Sequence, residues 1–482
     1  MKENKVRRLN VVDVYMICLV GLCILSAIEN PNKIVAPIFA LVYIALIYFK
    51  FNNNFVVVQL CTLLLFAVLN SNFYFNVGGS AIYGFYVIVF LYYMYLIFDL
   101  LKNKRKSRYV SVLKQFDFWV VALIIVYGVF TIFISNSKSV AISSIKSHII
   151  SMSVFIIILI EMRNLENLKE VLSFFRYLLV GILALSFLEI LGIRYGMANH
   201  FQASNLSEKI YPHIKRVPVS FFFNPNNYCV FLVASMIIVL GFILYENRKI
   251  DYLIYLACLI TLIFGMSRTA WITLLFSLGF IVIFFVLNKD KINVKKSIII
   301  AITTVIIFQG LSFIPQMQPF YGKMQQLKEM EEMEGELGGI KVGEQGSINI
   351  RSTLIVDVTQ GVFKEHHLLG FGPGNTSLYI KQLDNTFGIY NLHSLILEIL
   401  GDYGVLVLGI FIVCYIVKSI NLLIIYLKCN KEIKEYVFIS GVLMFNLILL
   451  SFAPSTVMNF PMFWVFMGMA MGVSSIKKNI MR

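Results

Sequence analysis

Long apolar runs separated by short polar segments constrain this sequence more than any other feature. Of its 482 residues, 59% are hydrophobic and only 14% are charged, whereas a soluble domain has about 45–50% apolar and about 25% charged residues. This composition excludes a water-soluble globule, a disordered chain and a disulfide-rich secreted domain as the main architecture. Because a helix needs about 20 apolar residues to cross a bilayer, the sequence predicts an all-α, polytopic integral membrane protein.

Fourteen apolar runs are candidates for spanning helices, with twelve as the lower count because several runs are short or abut one another. They lie near residues 11–28, 34–49, 54–70, 81–100, 117–135, 147–162, 174–192, 224–245, 252–266, 269–288, 297–314, 403–427, 435–453 and 459–476. The first run follows the basic sequence MKENKVRR, but no small-x-small cleavage site comes after it. We therefore expect this run to be a retained span and not a signal sequence.

The net charge of +15 is distributed unevenly between the segments that join these runs. With the N-terminus in the cytoplasm, the cytoplasmic segments are the shorter ones and yet hold about two-thirds of the Lys and Arg residues. The positive-inside rule explains this distribution, so the charge does not indicate nucleic-acid binding. It predicts a multi-pass protein of the cytoplasmic membrane with both termini in the cytoplasm and two long external segments, near 193–223 and 315–402.

Four regions follow from this order of spans and segments. They are N-terminal transmembrane helices (1–192), central transmembrane helices (193–314), a large external loop with short helices (315–402) and C-terminal transmembrane helices (403–482). Within the loop, helix formers extend to Gly338 and Gly339, and a second helical stretch covers about 350–364. The glycine-rich turn LLGFGPGNT follows that stretch.

The common motifs of cofactor and metal chemistry are absent from the sequence. It has no Walker A, GxSxG, HExxH, Asp-x-Asp or Cys-x-x-Cys pattern. The adjacent His366 and His367 do not combine with His393 in a spacing typical of zinc ligands. We therefore expect no metal site, no cofactor and no disulfide, so any chemistry must rely on arginines and a base.

Two polar motifs interrupt the apolar runs. Arg268, in GMSRTAW, lies between two spans with almost no loop, and it can either bind an anion at the outer membrane face or extend toward lipid headgroups. FFFNPNNYCV opens another span, where Asn224 or Asn227 can cap the helix with Pro225 in its first turn. The alternative function of that motif is to present the helix N-terminus to an anionic group.

Two titratable side chains lie near predicted outer span ends. His393, in NLHSLILEILGDYG, stands where a polar loop turns into an apolar helix, and imidazole can take a proton from a hydroxyl near neutral pH. A histidine at such a place can equally be only a polar tip. Glu189 is an intramembrane acid. Such an acid either has a functional role or pairs with an oppositely charged residue, such as an external arginine, for structural reasons.

The order of these motifs resembles the O-antigen ligase/polymerase superfamily. The order is a basic residue, Asn-Pro-Asn opening a span, Ser-Arg between two spans, an arginine and a glycine-rich turn in a large external loop, and then His before a helix with Glu and Tyr-Gly. The motifs cover roughly 210–415. The resemblance implies a bacterial integral membrane glycosyltransferase of the GT-C kind, which transfers a glycan from undecaprenyl pyrophosphate to an acceptor hydroxyl outside the membrane without metal.

The resemblance also implies roles for individual residues. His393 matches the histidine proposed as general base, Arg268 matches the Ser-Arg arginine that contacts pyrophosphate, and Arg351 matches the loop arginine. Arg216, which matches the basic residue upstream of Asn-Pro-Asn, is a further candidate for binding the pyrophosphate or glycan, together with Asn224 and Asn226. Glu398, Tyr403 and the intramembrane acid Glu189 are candidates for a supporting role. Two departures concern neighbours of these residues: Ser394 stands where the family often has Asn, and LIVDV replaces a frequent Trp after the loop arginine.

The sequence therefore predicts a polymerase that joins undecaprenyl-pyrophosphate-linked repeat units into a capsule, O-antigen or teichuronic-acid-type polysaccharide on the external membrane face. The expected partners are the lipid-linked glycan, the acceptor glycan chain, the lipid bilayer and a chain-length regulator. One alternative is a ligase that moves the finished glycan to a lipid or protein acceptor. The second alternative is a lipid-linked oligosaccharide flippase, which needs related halves with short loops.

Overall fold

The protein is a bundle of long apolar helices, seen in a computed structural model. The structure describes residues 10–78, 80–103, 109–162, 164–193, 195, 215–321, 342–344, 346–474 and 476. The helix-former stretch predicted to end at Gly338 and Gly339 lies mostly outside these residues.

The described part of the chain contains sixteen α-helices. The first eight are α1 (Val11–Glu29), α2 (Val35–Phe51), α3 (Phe55–Leu69), α4 (Gly84–Asn103), α5 (Phe116–Thr131), α6 (Lys138–Glu161), α7 (Leu165–Ile190) and α8 (Pro225–Tyr245). The others are α9 (Lys249–Phe264), α10 (Arg268–Leu287), α11 (Lys291–Ser312), α12 (Ser347–Phe363), α13 (Asn375–Leu383), α14 (Leu395–Lys428), α15 (Lys431–Leu450) and α16 (Pro461–Gly472).

The predicted spans coincide with α1–α11 and α14–α16. Ten of these helices are long and apolar enough to cross a membrane, while α2, α5 and α16 are apolar but shorter, and α9 has 16 residues. The all-α, multi-pass membrane architecture is confirmed. Helix α8 is buried along almost its whole length against α9, α10, α15 and α16, so it forms the centre of the bundle and α11 lies at its periphery.

A short β-hairpin between α3 and α4 was not predicted from the sequence. Strand β1 (Tyr74–Val77) pairs antiparallel with β2 (Ser80–Tyr83), and Tyr74 lies opposite Tyr83. Each strand has four residues and adjoins an apolar run, so its period-2 pattern is too short to detect.

Helix α14 starts earlier than predicted and is bent. It begins at Leu395, and Gly404 interrupts it with φ 81° and ψ −179°. The predicted span start at 403 therefore corresponds to the bend. The glycine-rich turn lies against the bend, where the Phe371 N–H donates to Gly401 O (2.7 Å) and the Val405 N–H donates to Leu368 O (3.0 Å).

Contacts between the connecting segments define one end of the bundle, which we call the His393 end. The Asn72 amide donates to Phe221 O (2.6 Å), and the Ser137 N–H donates to Asn375 Oδ1 (2.8 Å). The His393 N–H donates to Ser455 O (3.4 Å). Helices α12 and α13 pack there on the first part of α14 through a small second core that includes Leu354, Val358 and Leu397.

Candidate active site at the His393 end

His393 is held by the loop between α15 and α16, residues 451–460, which we call the 451–460 loop. Its Nδ1 lies 2.9 Å from Pro454 O. A carbonyl oxygen only accepts hydrogen bonds, so Nδ1 must carry the proton and Nε2 keeps its lone pair in the neutral ring. His393 also has φ 51°, an uncommon conformation for a side-chain-bearing residue that its surroundings must stabilise. The geometry presents Nε2 as a base.

The surroundings of His393 keep its ring neutral at physiological pH. Burial, and after it the positive charge of Arg351, lower the pKa of His393 to about 4. Since the ring is protonated only below that pKa, Nε2 is unprotonated at pH 7. The predicted general base is therefore in the protonation state that accepts a proton.

Arg351 lies beside His393, and Arg268 lies close to Arg351. Arg351, on α12, donates from Nη1 to the Oγ1 of Thr269 (3.1 Å), the residue after Arg268 at the start of α10. Burial and then the charge of Arg268 lower the pKa of Arg351. Two guanidinium groups held near a helix N-terminus repel each other, so this place favours an anion with several oxygens. The structure brings together the three residues that the sequence placed 83 and 42 positions apart.

Asn224 connects the start of α8 to the same loop. Its Oδ1 accepts from the Asn226 N–H (2.8 Å), and its amide donates to Ser455 Oγ (3.0 Å). The predicted capping role, with Pro225 in the first turn, is confirmed. Asn226 takes part through its backbone, and its side chain is half-buried.

The buried acids near this end act as acceptors for backbone amides. The Glu398 carboxylate accepts from the N–H groups of Val457 (2.9 Å) and Met458 (2.8 Å), so it fixes the 451–460 loop. The Glu189 carboxylate accepts from the N–H groups of Val219 (2.9 Å) and Ser220 (2.8 Å), just before Asn224. These contacts give both acids a structural role as positioning residues, which is the alternative that the sequence left open for Glu189.

Tyr403 and Asp402 support the glycine-rich turn and its neighbour α6. The Tyr403 hydroxyl lies 2.6 Å from Nδ1 of the buried His148. Asp402 accepts from the Gly374 N–H (2.8 Å) and from Thr376 Oγ1 (2.6 Å). Sequence reasoning missed Asp402, His148 and the 451–460 loop, because only the fold shows what each of them contacts.

Arg216 is the one predicted site residue for which the described structure offers no link to the others. It is exposed in a short turn at 215–216, directly after residues that the structure does not describe. Its part in substrate binding stays a prediction.

Residues 252–412 match the family model described as O-antigen ligase, a range that contains Arg268, Arg351 and His393. The resemblance to the O-antigen ligase/polymerase superfamily is confirmed. A polymerase- or ligase-type role in polysaccharide biosynthesis follows from it.

One curated relative is similar over most of the chain. The teichuronic acid biosynthesis protein TuaE of Bacillus subtilis (strain 168) is 22% identical over 377 residues, which cover 76% of this chain and 72% of the relative. No solved structure matches the chain significantly. The similarity to known proteins is therefore one of sequence, and the site geometry is described for this chain itself.

Proposed function

We propose that this superfamily member is a glycosyltransferase that polymerises undecaprenyl-pyrophosphate-linked repeat units into a cell-surface polysaccharide. The observation that carries the proposal is that Arg351 lies between a neutral His393, whose Nε2 is unprotonated, and a second arginine, Arg268. An anion site and a base side by side are what sugar transfer from a diphosphate donor to a hydroxyl requires.

Each step of the proposed reaction is assigned to a particular residue. The Nε2 of His393 takes the proton of the acceptor hydroxyl as its oxygen bonds to the anomeric carbon of the donor sugar. The bond from that carbon to the pyrophosphate oxygen breaks, and its electron pair stays on the oxygen. Arg268 and Arg351 stabilise this developing charge through planar forks that match phosphate oxygens. This chemistry requires no metal.

The membrane orientation supports the same proposal. The positive-inside pattern predicts that the His393 end faces the exterior, with both chain termini in the cytoplasm. The donor's polyprenyl tail stays in lipid, so its pyrophosphate lies at the membrane surface, where α8, α10 and α14 begin. Repeat-unit polymerisation also agrees with the similarity to a teichuronic acid biosynthesis protein.

The test is a size analysis of undecaprenyl-linked glycans in cells whose only copy carries His393→Ala. A polymerase predicts that single repeat units accumulate on the lipid, because no unit can be added. Accumulation of long lipid-linked chains would instead identify a ligase, and loss of lipid-linked units from the external leaflet would identify a flippase. Normal polymer in a well-inserted variant would exclude His393 as the base.

A further inference from the structure

A cavity of about 630 Å³ opens at the His393 end and has no role in the transfer chemistry described above. It lies between the β-hairpin, the start of α8 and the 451–460 loop. We call it the hairpin cavity, and its lining includes Lys33, Asn72, Tyr74, Tyr83, Asn227 and Asn459. Its volume falls within the range of small-molecule sites, about 300–1,000 Å³.

The side-chain oxygen of Asn227 is an unpaired hydrogen-bond acceptor in the wall of the hairpin cavity. Its Oδ1 is buried, and no hydrogen-bond partner is present for it in the described part of the chain. Buried polar atoms in folded proteins are nearly always paired. Asn227 lines the cavity, so a turn of its amide group would present this unpaired oxygen to a hydroxyl or amide donor of a bound molecule.

Aromatic rings and further polar groups complete the lining. The rings of Tyr74 and Tyr83, opposite each other in the hairpin, have centroids 6.0 Å apart at an interplanar angle of 61°. The Lys33 ammonium lies 4.7 Å from the centre of the Tyr74 ring. Asn72 and Asn459 add amides to the wall. Flat apolar rings beside donors and acceptors suit a molecule with both C–H faces and hydroxyls, and a pyranose has both.

The hairpin cavity shares its walls with the candidate active site. The first turn of α8 supplies Asn227 to the cavity and Asn224 to the Ser455 contact. The 451–460 loop supplies Asn459 to the cavity and Pro454 to His393. A group bound in the cavity therefore contacts the same two segments that hold the base.

We propose that the hairpin cavity is a subsite for one sugar residue of the glycan, which it holds while a neighbouring sugar reacts at His393. This inference rests on the proposed function, because it assigns a glycan substrate to the same end of the protein. Asn227 would accept a hydrogen bond from a sugar hydroxyl, and the tyrosine rings would cover one face of the sugar.

The test is binding of an oligosaccharide to the full chain in detergent, measured by titration calorimetry. The probe is the repeat-unit oligosaccharide released by partial hydrolysis of the host's own surface polysaccharide. Asn227→Ala and Tyr83→Ala should each raise the Kd at least about tenfold, which corresponds to the loss of one good contact. Asn53→Ala, at an exposed turn between α2 and α3, is the matched control and should bind as the wild type does.

Thermal stability separates a binding role from a structural one. Because Asn227 Oδ1 has no partner to lose, Asn227→Ala should leave the midpoint of thermal unfolding unchanged or raise it. A wild-type chain that does not bind the probe would overturn the subsite, and so would cavity variants that bind it with wild-type affinity.

The two proposals fail in different ways. His393→Ala should still bind the probe while it loses polymer, since the base is outside the hairpin cavity. If His393→Ala abolishes polymer in cells but the purified cavity variants bind the probe with normal affinity, the subsite alone is overturned. Weakened probe binding in the cavity variants, together with normal polymer in His393→Ala cells, would overturn the proposed transfer chemistry alone.

Discussion

His393 shows how a single hydrogen bond prepares a side chain for chemistry. The Pro454 carbonyl fixes the proton on Nδ1, and burial beside Arg351 keeps Nε2 unprotonated. A pKa of about 4 makes a weaker base than histidine in water. A bound pyrophosphate would counter the charge of the arginines and raise the pKa of His393 when the base is needed.

The first prediction concerns the pH dependence of the wild-type enzyme. Activity requires neutral His393, so it should fall as the pH drops through the pKa. The acid limb of kcat/KM, which reports the free enzyme, should lie near pH 4, and the limb of kcat should lie higher because the anionic donor is bound. Polymerisation by membranes at varied pH and donor concentration measures both limbs. If the acid limbs of kcat/KM and kcat lie at the same pH, the result would contradict an anion bound beside His393.

The second prediction concerns the shape of the Arg268 side chain. Arg268→Lys keeps the charge but loses the planar fork, so polymer formation should fall by at least about tenfold. Arg248→Lys is the matched control, because Arg248 is mostly exposed and pairs with Glu246 at the opposite end. Full activity of Arg268→Lys would show that charge alone suffices.

Helix α14 shows how one element combines anchoring and catalytic geometry. Its first part, between His393 and the bend, carries Glu398 for the 451–460 loop and Asp402 for the glycine-rich turn. The bend itself allows close contact, since a Cβ on Gly404 would lie 2.3 Å from Leu368 O. The backbone at this position therefore requires glycine.

The third prediction tests this bend. Gly404→Ala should destabilise the protein by about 1–3 kcal/mol, because φ is +81° and the added Cβ meets backbone, and activity should fall with it. Gly409→Ala lies later in the same helix with nothing within 4 Å of the added atom, so it should be tolerated. The midpoint of thermal unfolding in detergent measures both. An equally stable Gly404→Ala would show that the bend is not constrained.

The whole molecule separates chemistry from anchoring at its two ends. The His393 end gathers the arginines, the base and the hairpin cavity. At the opposite end Arg176 of α7 bonds Glu246 (2.9 Å) and Asp251 (2.8 Å), which ties α7, α8 and α9 together. The proposed function requires that these two ends face opposite sides of the membrane.

The fourth prediction is that the two ends differ in accessibility. In intact cells a membrane-impermeant thiol reagent should label Gln382→Cys, which is exposed on α13. It should label Asn53→Cys only after the membrane is permeabilised. The parent chain with its native cysteines gives the background. The reverse pattern would place the site in the cytoplasm and contradict an external polymerase.

The sequence alone was sufficient for the spanning helices, an asparagine cap at the start of α8 and the second loop helix, because hydropathy, capping and propensity are local properties. The structure decided that the cap is Asn224 and not Asn227. The motifs also sufficed to single out Arg268, Arg351 and His393 as candidates.

Only the tertiary structure decided which residues meet. The Pro454 carbonyl reaches His393 from 61 positions away, and Glu189 and Glu398 bind backbone amides that no sequence pattern marks. The hairpin cavity likewise combines Tyr83, Asn227 and Asn459 from three distant segments. Such contacts depend on how the helices pack. The hydrophobic periodicity of one segment does not show which residue of a distant segment it will contact.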